Sequence, residues 1–137
     1  MKLDKNVKAK VGLWKLIPFL ANKTAHGIYP NVYLPEHIFN DLKLDNPNPY
    51  DVALLLHEQE HIKRQKEQGV IIWLLKYIFI SKFRFEEELK ADIPKTKYLK
   101  LKNLKFDVEK RAKQLSGWIY LWPVSYKEAK EKLNKLI

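Results

Sequence analysis

The segment His57-Glu58-Gln59-Glu60-His61 constrains the chain more than any other, because its residues can act together only on a helix. There, residues four apart lie one turn above each other on one face, so His57 and His61 can present two imidazoles to a single Zn²⁺. Glu58 then stands beside the metal without binding it, where its carboxylate can take a proton from a zinc-activated water. The flanking sequence agrees. Asn48 is a capping residue, Pro49 suits a first helical position, Asp51 favours the positive end, and Val52 to Leu56 supply an apolar run. With Gly69 as a stop, the pattern sits within a predicted helix from Pro49 to Gln68. A surface helix with merely solvated histidines is the bland alternative, and the apolar run before His57 argues against it.

Two histidines do not complete a catalytic zinc site, which normally has three protein ligands and an open position for water. Only His26 and His37 remain; both lie upstream and read as surface residues of a loop or helix start. Arg64 and Glu67 stand where an extended motif would place Gly and a third His, and the chain has no cysteine. The third ligand should therefore be a carboxylate. The run Arg84-Phe85-Glu86-Glu87-Glu88-Leu89-Lys90-Ala91-Asp92 offers one. On a helix Glu88 and Asp92 share a face, so Glu88 can reach a metal while Asp92 accepts the second N–H of a ligand histidine, with His57 the first choice. Glu87 is the next candidate ligand, and the three glutamates also read as an ordinary acidic first turn. Pro94, two residues after Asp92, should break or kink this helix and keep it short.

H-E-x-x-H followed by E-x-x-A-D resembles the gluzincin clan of zinc metallopeptidases, to which thermolysin and the CaaX-processing proteases belong. The resemblance implies a Zn²⁺ cofactor, His57, His61 and Glu88 as ligands, Glu58 as the catalytic base and Asp92 behind a ligand. The small size is most similar to the minigluzincins. It also implies a cleft that terminal segments can cover, and Met1 to Ala21 is the candidate pro-segment or cleft-covering segment. Its basic start and short apolar stretch imitate a secretory signal, but Lys15 and Pro18 interrupt it and no cleavage site is clear, so it is expected to belong to the folded protein.

The expected fold is α+β, mostly helical: one compact domain spanning residues 1–137, with a small N-terminal β-sheet packed on the active-site helix. Gly27 to Pro35 reads as extended chain, with Val32 and Tyr33 as either a substrate-binding edge strand or a purely structural one. Val70 to Ile80, apolar except for Lys76, is too short to span a bilayer and is expected to form a core helix, with a membrane-surface or homodimer contact as the alternative. Trp118 to Pro123 is a short aromatic segment, chiefly core. Ser125 with Glu128 opens a last helix, Tyr126 to Leu136. An oxyanion needs a donor, and none of the histidines lies after His61. Tyr98, Tyr120, Tyr126 or a cationic side chain must then supply it, and Tyr120 is preferred as a catalytic residue.

The net charge of +10 accommodates acidic substrates, nucleic acid or anionic lipid, but lysines spread along the chain are most simply a solvated surface. The lack of cysteine suits a cytoplasmic location. The leading expectation is a zinc-dependent endopeptidase, active or latent, acting on peptide or protein substrates. The alternative is a non-catalytic protein, either a basic nucleic-acid binder or a zinc-stabilised interaction partner.

Overall fold

The computed structural model describes all residues, 1–137, and its fold is α+β and mostly helical. By its internal contacts the chain divides into two compact units, Met1–Glu67 and Gln68–Ile137.

In the first unit, β1 (Val7–Ala9) is followed by a 3-10 turn (Gly12–Leu16), α1 (Pro18–Lys23), β2 (His26–Ile28), β3 (Asn31–Leu34), α2 (Glu36–Leu42) and α3 (Pro49–Gln68, whose last residue belongs to the second unit). The three strands form one sheet in the order β1-β3-β2. The expected single extended stretch is thus broken into a hairpin: Ile28 pairs with Asn31, so Tyr29 and Pro30 make a two-residue turn. This corrects the edge-strand expectation for Val32 and Tyr33. They lie in the central strand, paired with Val7 and Lys8 on one side and with Gly27 and His26 on the other, and β3 has no free edge.

Val7, Val32, Leu34, Leu42 and Leu55 form the core of this unit, with Val52 and Ile62 of α3 packed against it. The helix α3 begins as its sequence demands: the Asn48 side chain accepts the Tyr50 N–H at 2.9 Å. Ala53, His57, His61 and Gln65, spaced four apart, are all buried on it. The N-terminal segment is folded. β1 is a sheet edge, and Lys10 just beyond it is fully buried.

The second unit holds α4 (Val70–Phe79), α5 (Ser81–Leu101), α6 (Val108–Leu115), a 3-10 turn (Trp118–Tyr120) and α7 (Tyr126–Asn134). Gly69, at φ +92°, separates α3 from α4, a backbone angle that favours glycine. Ser125 caps α7 by accepting the Glu128 N–H at 3.2 Å. Phe85, Ala112, Leu115, Ala129 and Leu133 make the core. Two expectations fail here. The helix α4 is not a core helix, because Trp73 is its one buried residue. Nor are the aromatics of 118–122 chiefly core, since Trp118 and Trp122 are exposed.

Pro94 does not end α5, which continues to Leu101. Proline removes one helical hydrogen bond and crowds the carbonyl four residues back, that of Lys90. The helix continues because Ala91 and Asp92 before the proline and Thr96 and Leu99 after it are all buried, so tertiary packing offsets the local defect. Pro94→Ala should therefore raise stability, by about 1–3 kcal/mol, measured by urea unfolding. A loss of stability would mean that the ring's own packing outweighs the missing hydrogen bond.

Candidate metal centre

On α3 the two histidines behave as their spacing requires. Nε2 of His57 and Nε2 of His61 approach to 3.2 Å, and the rings meet edge to face with centroids 4.8 Å apart. The same nitrogen of each ring makes this close approach. Both rings and the Glu58 carboxylate are buried.

The sheet closes tightly on this part of the helix. A Cβ built on Gly27 of β2 would lie 2.8 Å from the Glu58 carbonyl oxygen and 3.3 Å from its Oε2. Only glycine allows the strand to approach this turn of α3 so closely. Gln65, one turn beyond His61, fixes the register: its Nε2 donates to the Gly27 carbonyl and its Oε1 accepts the Tyr29 N–H, both at 2.7 Å. A side-chain amide thereby does for β2 what a neighbouring strand's peptide group would do.

Behind β2 lies a buried cation. Lys10 Nζ donates to the carbonyls of Leu20 (2.8 Å) and Thr24 (2.6 Å), and to His26 Nδ1 at 2.5 Å. It also lies 4.6 Å from the centroid of the Trp14 ring, on which His26 stacks. Burial pushes the Lys10 ammonium down to about 8, with the Glu58 charge opposing the fall. Burial, then the charge of Lys10, pushes His26 down to about 4. His26 is therefore a neutral acceptor at Nδ1 with its proton on Nε2, and it is a half-buried residue of β2 where the sequence suggested a surface position in a loop or helix start. His37 is exposed on α2.

In the second unit the three glutamates of α5 part ways. Glu86 is exposed. Glu87 accepts the indole N–H of Trp73 at 3.0 Å and receives Gln68 and Lys90 at its other oxygen. Glu88 is held by the Tyr77 hydroxyl, which donates to Oε1 at 2.6 Å, and by Arg111 Nη2, which donates to Oε2 at 2.9 Å. Arg111 Nε also donates to Asp92 Oδ2 at 2.6 Å, and its Nη1 to the Tyr120 hydroxyl at 3.2 Å. Glu88, Asp92 and Tyr120, three of the residues singled out in the sequence, thus meet on one buried guanidinium. Burial opposes the charge on Arg111, but Asp92, Tyr120 and Glu88 together hold its pKa well above the usual value.

Sequence reasoning missed Gly27, Lys10, Gln65, Tyr77 and Arg111. Arg111 lies 23 residues from Glu88, and nothing local connects them. A signal did exist in that a buried acidic pair on α5 demands a cation, but the sequence offers many candidates. A cleft of about 830 Å³ is lined by Lys97, Lys100, Phe106 and Lys130 among others and holds none of the candidate site residues. No protein-family model, curated protein or solved structure matches the chain.

Two outcomes follow. Nuclear magnetic resonance titration should show the His26 ring neutral down to about pH 5 and protonating near pH 4. Because its folded value is depressed, its contribution to stability is complete above pH 6.5 and is lost as pH falls toward 4. Asp51 acts in the opposite sense, raised to about 6 by burial and by Asp41, so stability is best followed in Asp51→Asn. A His26 midpoint near 6.5 would contradict this environment. Separately, Arg111→Gln should cost about 3–5 kcal/mol in urea unfolding, since it leaves Glu88 and Asp92 buried beside each other. A cost below about 1 kcal/mol would show that the carboxylates find other partners.

Proposed function

We propose that the chain is a zinc-dependent peptidase of the gluzincin type, with His57, His61 and Glu88 as ligands and Glu58 as the catalytic base. The observation that carries this is the 3.2 Å separation of the two Nε2 atoms. Two nitrogens each 2.0–2.1 Å from one tetrahedral Zn²⁺ stand roughly 3.3 Å apart, so the rings already have the required edge. Glu88 is the proposed third ligand. His57, His61 and Glu88, all buried, make a group that could hold a metal ion. The Glu87 alternative is weaker, because Glu88 and not Glu87 is grouped with the two histidines.

When bound, Zn²⁺ supplies water acidified to near neutrality and a Lewis acid for the substrate carbonyl. The chain's residues do the rest. Glu58 takes a proton from the attacking water as the new C–O bond forms, and then returns it to the amine as the peptide C–N bond breaks. Its backbone is braced by β2 at Gly27, and Lys10 is a nearby positive charge. Tyr120, oriented by Arg111, is the donor for the oxyanion. Tyr77 and Arg111 hold the Glu88 carboxylate in one orientation, as groups behind metal ligands commonly do. The absence of cysteine fits a reducing compartment, and we place the protein in the cytoplasm. No helix is long and apolar enough to cross a membrane.

Zinc content and hydrolysis of casein or a quenched peptide separate the possibilities. Wild type should bind one zinc per chain and lose activity to 1,10-phenanthroline. Glu58→Gln should retain the zinc while activity falls by about 10²–10⁴, whereas His61→Ala and Glu88→Ala should lose both. Zinc without turnover would indicate a non-catalytic zinc protein, and a chain that takes up no zinc would remove the reading altogether.

A further inference from the structure

The helix α4 displays an apolar face that nothing in the chain covers. Ile71, Ile72, Leu75, Ile78 and Phe79 are 52–77 % exposed. At 100° per residue they fall on an arc of roughly 120°, with Lys76 at its rim. The opposite side of the helix carries buried Trp73 and half-buried Tyr77.

A second exposed apolar group stands beside the end of this helix. Arg84, buried, donates from Nη1 to the Tyr77 and Ile78 carbonyls (2.5 and 3.1 Å) and from Nε to the Tyr120 carbonyl (2.8 Å). It therefore ties the last turn of α4 to the turn that follows Tyr120. There Leu121 and Trp122 adopt φ of 60° and 46°, a left-handed backbone that is costly for bulky residues. The strain is spent on display: Leu121 is 61 % and Trp122 68 % exposed. Trp118 and Ile119, in the same segment, are exposed as well.

Charge decides what can cover such a surface. Residues 68–137 contain sixteen Lys and Arg against eight Asp and Glu, a net +8, while residues 1–67 have ten against eight, +2. Nearly all of the chain's excess positive charge lies in the unit that carries the apolar face. A second copy would bring one +8 unit against another, which is repulsive, whereas an anionic lipid surface attracts it. A short helix with an apolar face, a lysine at its rim and exposed tryptophans nearby has the composition of an element that lies in the headgroup region. At ten residues, about 15 Å, α4 lies along a bilayer surface and does not cross it.

We infer that the outer face of α4, together with the Leu121–Trp122 turn, is a docking surface for an anionic lipid bilayer. This holds whether or not the chain cleaves peptides. The test is co-sedimentation of the full chain with vesicles of phosphatidylcholine, alone or mixed with phosphatidylserine. Binding should appear with phosphatidylserine, be about tenfold or more weaker without it, and decline as salt is raised. Tryptophan emission should shift to the blue as Trp122 enters the headgroup layer. The double substitution Ile71→Glu and Phe79→Glu changes only exposed side chains, so circular dichroism should be unaltered while vesicle binding drops at least about tenfold. Trp122→Ser, away from the helix, should weaken binding too. The inference is overturned by no partition onto phosphatidylserine vesicles, by partition that neither variant weakens, or by a dimer that the double variant dissolves and that does not bind lipid.

Discussion

Burying ionised groups in a chain this small requires that each find a counterpart, and this requirement organises the structure more than its apolar cores do. Lys10, Glu58, Arg84, Glu87, Glu88, Asp92 and Arg111 are all buried. An unpaired charge at any of these positions would cost several kcal/mol. The chain answers with specific geometry. Arg111 is shared by Glu88 and Asp92, Arg84 is wrapped by three carbonyl oxygens, and Lys10 is ringed by carbonyls, a hydroxyl and a neutral imidazole. Each arrangement also fixes backbone that would otherwise be free: Arg84 joins α4 to the turn after Tyr120, and Lys10 holds α1 and the start of β2 together. Charged groups specify this fold as much as they burden it.

The same requirement separates what was legible in the sequence from what was not. Periodicity and caps belong to neighbouring residues, so the bounds of α3, the Asn48 and Ser125 caps and the stop at Gly69 could be read directly. So could the shared face of His57 and His61, because an i, i+4 relation needs nothing beyond the helix itself. The choice among Glu86, Glu87 and Glu88 is of another kind. Their spacing favoured Glu88 by face, but what distinguishes it from Glu87 is that Tyr77 and Trp73 come from a different helix, and their order along α4 matches the order of the two glutamates on α5. Gly27 was invisible for a similar reason. Its role comes from a strand meeting a helix more than thirty residues away, and no local pattern marks it.

Failures of the sequence reading have physical causes as well. The stretch from Gly27 to Pro35 has strand composition throughout, but a proline after Tyr29 places a turn inside it, and the two halves pair with each other. Pro94 is a breaker by local rules and is overridden by the burial of Asp92, Thr96 and Leu99 around it. The aliphatic run of Val70–Ile80 is apolar enough for a core, and composition alone cannot tell a helix that is covered from one that is not.

What turns α4 outward is the chemistry of its other side. Trp73 and Tyr77 lie four apart on one face, and each carries a polar tip that reaches a buried carboxylate of α5, Glu87 and Glu88 respectively. Rotating the helix to hide Ile71, Leu75 and Phe79 would withdraw both donors and leave two buried carboxylates short of hydrogen bonds, at about 1–3 kcal/mol each. Arg84, bonded to the carbonyls of Tyr77 and Ile78, resists the same rotation. One helix therefore serves two purposes through its two faces. The inner face fixes the carboxylate proposed as a metal ligand, and the aliphatic side chains, excluded from that face, form the exposed surface inferred to meet lipid. Tyr77, whose hydroxyl lies 2.6 Å from Glu88 Oε1, is the point at which the inner face of the helix meets that carboxylate.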